Sequence, residues 1–179
     1  MLTIRAATIH DAEAIAHVHV QSWRTTYFGI VPEPYLASLN EADRVLTWRD
    51  WLTRDIQVFV ANLNGELVGF ISGGALREPL PDYDAELFTL YLLQHAQGRA
   101  IGTALLKALA KSLHDKNFKS LAVWVLEKNP AVRFYEKSAA HLLSSKEIEI
   151  GGIQLTEIAY GWPHLKPLIS SESASDPAS

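Results

Sequence analysis

The stretch Gln97-Gly98-Arg99-Ala100-Ile101-Gly102-Thr103 carries the clearest chemistry in this chain. It follows the apolar run Glu86-Leu-Phe-Thr-Leu-Tyr-Leu-Leu93 and opens a helical stripe at Ile101, Leu105, Leu109 and Leu113. A strand that turns through small residues into a helix aims unpaired backbone N–H groups, and the positive end of a helix dipole, at one point. Such a point binds an anion, typically phosphate, without many charged side chains. The competing reading is an ordinary helix start in which Gly98 and Gly102 are incidental. Neither G-x-x-x-x-G-K-[ST] nor G-x-G-x-x-G occurs, so the other common phosphate motifs do not apply.

Other chemistries are excluded or weak. The chain has no cysteine, which removes disulfides, thiolate metal sites and a cysteine nucleophile. His17 and His19 are two apart in a helical stretch and point to different sides, so they do not form a metal site. His95, beside the loop, reads as a surface residue, with contact to a bound cofactor or substrate as the alternative. Sixteen basic against 20 acidic residues give a net charge of −4 without long runs of either sign, which argues against a nucleic-acid surface. Arg5, His10, Asp11 and Glu13 stand where a signal peptide needs an apolar run, and no segment is long enough to span a membrane. A cytoplasmic protein is the expectation.

The elements that must position the loop are legible in outline. Residues 1–166 are expected to form a single domain and 167–179 a disordered polar tail. A strand begins near Ile4, and Thr8 with Asp11 resembles a capping box. Ala16, Val20, Trp23 and Tyr27 then share one helical face. Pro32 and Pro34 break that helix, and a second helix is expected over 34–53. Ile56–Leu63 and Glu66–Ser72 flank Asn64-Gly65, a strong hairpin signal. After a link from Gly73 to Asp82 come the strand ending near Leu93, the loop and its helix, and a buried strand at Leu121–Leu126. A helix from Pro130 to Ser138 with Asn129 as cap follows, then a hairpin of Glu147–Ile150 and Ile153–Tyr160 around Gly151-Gly152. The result is a mixed α/β fold.

Two segments together resemble the GNAT superfamily of acyl-CoA-dependent N-acyltransferases. Gln97-Gly98-Arg99-Ala100-Ile101-Gly102 is similar to the family's Q/R-x-x-G-x-G/A loop, which wraps the pyrophosphate of coenzyme A. Trp124-Val-Leu-Glu-Lys-Asn129-Pro130-Ala-Val-Arg133-Phe134-Tyr135-Glu136-Lys137 is close to the family's strand–Asn–helix–Tyr segment. The likeness extends over roughly residues 3–163. Three positions depart from the pattern: Ala100 and Ala139 stand where glycine is usual, and Gln94 where proline is common. A methyl group at 100 is tolerable if that residue has ordinary negative φ, and intrusive if the backbone there must touch phosphate.

The resemblance implies a central, mostly antiparallel sheet with helices on both faces, splayed between strands 86–93 and 120–126. It implies acetyl-CoA as acyl donor, no metal, and a primary amine as acceptor. The backbone of Leu90, Tyr91, Leu92 and Leu93 would pair with pantetheine and polarise the thioester carbonyl. Residues 97–103, Gln97 to Thr103, would hold the pyrophosphate, and the Asn129 amide would bond the pantetheine arm as well as cap the helix. Tyr135 takes the role of acid: a phenol of pKa about 10 can protonate a departing thiolate whose thiol has a pKa of about 8.5. Its bland reading is a core aromatic, like Phe134. Glu86 is either the base that acts through water or a solvated residue at a strand start. Trp23 and Tyr27 either contact the acceptor or pack the early helices onto the sheet. A non-catalytic acyl-CoA-binding module and a toxin-like acyltransferase acting on aminoacyl-tRNA are the rival classes. The terminal hairpin offers a surface for a homodimer.

Overall fold

In the computed structural model, which describes residues 1–170, a seven-stranded sheet organises the chain. Strands β1 (Leu2–Ala6), β2 (Gln57–Leu63), β3 (Glu66–Ala75) and β4 (Ala85–Leu92) form an antiparallel meander. β5 (Leu121–Leu126) runs parallel to β4, and β7 (Ile153–Trp162) separates it from β6 (His141–Ile150). The order β1-β2-β3-β4-β5-β7-β6 is the mixed, mostly antiparallel sheet that the sequence implies. Asn64 and Gly65, with φ of 52° and 93°, close the β2–β3 hairpin in the conformation that matches strand twist.

Helices cover both faces. α1 (Ala12–Thr26), α2 (Glu33–Ser38) and α3 (Glu41–Trp51) lie on one; α4 (Ile101–Asp115), α5 (Val132–Lys137) and α6 (Lys166–Ser170) lie on the other. The stripe Ile101, Leu105, Leu109 and Leu113 is buried against Ala61, Ile71, Leu87 and Val123. Each such side chain contributes about 1.5–3 kcal/mol by leaving water. On the opposite face Ile15, Ala16 and Val18 of α1, with Trp48 of α3, pack on Val58, Val60 and Phe70. Side chains alternating along β2 thus feed two cores.

Several elements differ from the sequence reading. The helix expected over 34–53 is two helices, because Asn40 adopts extended backbone and its Oδ1 accepts from Ala42 N at 2.7 Å and Asp43 N at 3.3 Å. That side chain satisfies N–H groups at a new helix start, which ends the previous one. The last hairpin is longer than expected, with β6 beginning at His141. α5 starts at Val132 rather than Pro130, since Asn129-Pro130-Ala131 forms a turn ahead of it. Pro167–Ser170, assigned in advance to the tail, are helical with Leu168 buried. The remainder of that tail, 171–179, lies outside the described residues.

Ala139 has φ of 62°, in the left-handed region. Its N–H donates to Glu136 O at 3.1 Å and the Ala140 N–H to Tyr135 O at 3.1 Å. Those two bonds are the closing pattern of a Schellman cap, whose left-handed position favours glycine. The departure from the family pattern at 139 therefore falls where a side chain is strained.

Candidate active site

Where β4 meets β5, the sheet opens. Only Glu86 with Ala122 and Leu87 with Val123 are paired; beyond them the strands diverge. Asp84 fixes the closed end: its carboxylate accepts from Lys119 N at 2.9 Å, Ser120 N at 3.0 Å and Ser120 Oγ at 2.9 Å. On the other side β4 skips Phe88 in its register with β3, a bulge that bends the strand away.

Helix α1 spans the open end. Trp23 Nε1 donates to the Tyr91 hydroxyl on β4 at 3.0 Å, and Asn129 Nδ2, just past β5, donates to the Tyr27 hydroxyl at 3.1 Å. The cleft between has a volume of about 440 Å³. Its walls include Ser22, Thr25 and Thr26 of α1, Leu90–Leu92 of β4, Gly98, Gly102, Asn129 and Phe134. Leu93 N donates to Val68 O across β3 at 2.8 Å. Strand alternation then turns the N–H and C=O groups of Leu90 and Leu92 towards the gap. The Leu92 carbonyl, accordingly, accepts from Ser22 Oγ at 3.2 Å and Gln97 Nε2 at 3.3 Å.

The loop at one end of the cleft leaves its backbone donors unused. The first helical hydrogen bond of α4 is from Ala104 N to Ala100 O, at 3.1 Å. No N–H from Gly98 through Thr103 has an acceptor among the described residues. Gly98 and Ala100 have φ of 71° and 57°, and left-handed residues interleaved with ordinary ones turn successive N–H groups to one side. Ala100 thus lacks the negative φ under which its methyl group would be unstrained, a correction to that condition. Gly102 lines the cleft, and a Cβ there would stand 3.4 Å from Phe134 Cε2. A second hollow of about 670 Å³ opens beside Thr103 and Phe134, with Lys107, Lys137, His141 and His164 in its lining.

Asn129 has both expected uses available. Its Oδ1 accepts from Ala131 N at 2.9 Å, and its Nδ2 keeps one hydrogen beyond the bond to Tyr27. Tyr135 is 4% exposed and packs edge-on to Phe134 and Trp162, at 5.5 and 5.9 Å between ring centroids. Its hydroxyl has no hydrogen-bond partner among the described residues, whereas every fully enclosed polar side-chain atom there has one. The hydroxyl therefore retains a path to solvent. Burial, with Tyr91 adding to it, pushes this phenol well above its ordinary range, so it stays protonated.

Glu86 is not the solvated strand residue of one expectation, being 3% exposed. Nor is it a free base: Arg77 occupies its carboxylate through the backbone N at 3.1 Å, Nε at 3.2 Å and a close Nη2 contact. Trp23 and Tyr27 brace α1 across the gap and are absent from the cleft wall. Ser22, Thr25 and Thr26, missed in the sequence, provide that wall, and their spacing on α1 was the signal available. His17 meets Glu41 at the surface, whereas His19 is buried with Nδ1 accepting from Trp48 Nε1 at 3.1 Å. Burial pushes His19 down to about 3. His95 stands 3.5 Å from Glu66, exposed.

Comparison with known proteins agrees with this architecture. The model of the acetyltransferase (GNAT) family matches residues 18–140. The chain is 41% identical over 170 residues to the uncharacterized N-acetyltransferase YuaI of Bacillus subtilis, covering 94% of this chain and 96% of that one. It is 29% identical over 149 residues to a spermidine N(1)-acetyltransferase of Thermoplasma acidophilum, covering 76% and 86%. The crystal structure of the PaiA N-acetyltransferase of Thermoplasma acidophilum in complex with coenzyme A superposes with a TM-score of 0.66, at 26% identity, over 88% of this chain and 98% of that one.

Proposed function

The chain belongs to the acetyltransferase (GNAT) family, and from that premise we propose that it transfers the acetyl group of acetyl-CoA to a primary amine by direct attack within the cleft. One observation carries the reading: the run of unpartnered N–H groups from Gly98 through Thr103 opens onto the only gap in the sheet among the described residues. A pyrophosphate is the group such a cradle suits. The basic side chains beside Thr103 suit the 3′-phosphate end of the same molecule. The coenzyme A complex of a relative supports the choice of donor.

Acetyl-CoA supplies an acyl group activated as a thioester. The residues of this chain then do three things. The Leu90 and Leu92 backbone, turned into the gap, hydrogen-bonds the extended pantetheine arm and offers an N–H towards the carbonyl oxygen, where negative charge develops. Asn129 holds the arm from the opposite wall with its remaining amide hydrogen. The Tyr135 hydroxyl donates to the departing sulfur. Because burial raises this phenol, full proton transfer is uphill until the sulfur is itself desolvated, and the early contribution is a hydrogen bond to developing charge. Alignment of amine and thioester in one cleft supplies much of the rate.

Calorimetric titration with acetyl-CoA, dephospho-CoA and NADPH tests the donor, and an amine panel tests the transfer. Acetyl-CoA is expected to bind in preference to the other two, and the Tyr135→Phe variant to lower kcat about 10²-fold with its acetyl-CoA Kd within about twofold. No binding of acetyl-CoA refutes the reading. Binding without transfer to any amine returns the protein to the class of non-catalytic acyl-CoA binders.

A further inference from the structure

The proton lost by the acceptor needs a carboxylate or water at the open side of the cleft, and Glu86 is occupied by Arg77. On the sheet face beneath α1 and α2, the register links Glu86 to residues two strands further on. Glu86 neighbours Ala122, and Trp124 and Leu126 follow it on the same side of β5. Leu126 pairs with Glu157 on β7, and Glu157 pairs with Lys146 on β6. Trp124 is thus the first β5 residue on this face past the point of divergence, and Glu157 is the next acidic group along it.

We propose that Glu157 is the residue that takes the proton from the acceptor ammonium, an inference that rests on the acetyl-transfer reading above. Three observations support it. Its side chain is 21% exposed, open enough for water and a ligand yet largely covered. Its carboxylate has no hydrogen bond among the described residues, its nearest charged partner being Lys146 Nζ at 3.9 Å. That ammonium lies 4.2 Å above the Trp124 ring and 3.0 Å from Glu78, so the ground beside Glu157 already receives a cation on an aromatic face.

The surrounding charges come from every neighbouring element: Lys146 on β6, Arg77 and Glu78 on the link after β3, Glu86 on β4, and Tyr27 at the end of α1. Burial raises Glu157 above its ordinary range; Lys146 and Arg77 oppose this, and Glu86 and Glu78 add to it. A carboxylate so raised is a better base near neutral pH than an ordinary one. In the reaction the ammonium gives one proton to Glu157, which passes it to water. The N–C bond forms as the C–S bond breaks, and the second proton lost by nitrogen balances the one donated to sulfur through Tyr135.

Glu157→Gln is the test. At pH 7 its kcat/KM with a strongly basic primary amine is expected to fall about 10²-fold. The deficit should shrink to within about threefold for a weakly basic amine that is already unprotonated at pH 8, while acetyl-CoA binding by calorimetry is unchanged. A second measurement needs no turnover: carbon-detected NMR titration of the Glu157 carboxyl, with a midpoint expected above the ordinary value of about 4.3. A deficit equal for both amines, no deficit, or a midpoint at or below the ordinary value overturns the assignment while leaving acetyl transfer intact. Failure of the unaltered protein to acetylate any amine overturns the parent reading and this assignment with it.

Discussion

Ala100 and Ala139 hold left-handed backbone with a side chain that does not favour it, and glycine at either position should stabilise the protein. For an L-residue the left-handed conformation costs about 1–2 kcal/mol. Glycine removes that cost but loses about 0.5–1 kcal/mol more chain entropy on folding. The difference is a gain of about 0.5–1 kcal/mol at each site, equivalent to a rise in Tm of about 1–4 °C for a chain of this size. Ala139 sits in a helix C-cap and Ala100 at the start of α4, so no common contact links them and the gains should add. Thermal and urea unfolding of Ala100→Gly, Ala139→Gly and the double variant would measure this. The Ala100→Gly variant should also keep its acetyl-CoA affinity, because the N–H groups it orients are already turned. Unchanged or lowered stability in both single variants would refute the reasoning, since it would mean that neither backbone carries the strain its φ implies.

Gly102→Val should lose acetyl-CoA affinity by at least about tenfold, as measured by calorimetry, because its branched carbons extend beyond a Cβ already 3.4 Å from Phe134. Stability should fall with acidity through His19, whose folded pKa of about 3 lies below the ordinary 6.5. The unfolded chain takes up the proton first, so this stabilisation is complete above pH 6.5 and is lost as pH drops towards 3, at about 1.4 kcal/mol per pH unit. Urea unfolding of His19→Phe should show a lower stability at pH 8, from the orphaned Trp48 N–H, and a shallower slope between pH 6.5 and 4.5. Asp84→Ala should cost about 2–4 kcal/mol in chemical unfolding, because it frees two backbone N–H groups and a hydroxyl at the paired end of β4 and β5.

What the sequence made legible was local. The stripe from Ile101 to Leu113, the Asn64-Gly65 turn and the loop at 97–103 depend on residues close in the chain, and each is found in place. The break at Asn40 was legible too, as an asparagine one residue ahead of Glu41, but the apolar residues on either side masked it. Long-range pairings were not. Arg77 lies in an irregular link, and nothing in its neighbourhood announces that it closes on Glu86. Glu157 becomes a candidate only through cross-strand register with Leu126 and Lys146. The aromatic residues Trp23 and Tyr27 are the conspicuous ones at the end of α1, yet they serve as braces while the small hydroxyl residues Ser22, Thr25 and Thr26 face the cleft. Alanine gives no sign of positive φ, so the strain at 100 and 139 shows only in the folded backbone.

The brace across β4 and β5 bears on solubility. A strand edge with unsatisfied N–H and C=O groups normally recruits other polypeptides and starts aggregation. The open edge of β4 faces β5 rather than bulk water, behind a helix that is hydrogen-bonded to both sides. A polypeptide strand joining that edge would need room for side chains on both of its faces. A single extended ligand arm does not, and about 440 Å³ is the scale of a small-molecule site. An edge enclosed in this way has room for a small extended molecule while being withheld from the strands of neighbouring proteins.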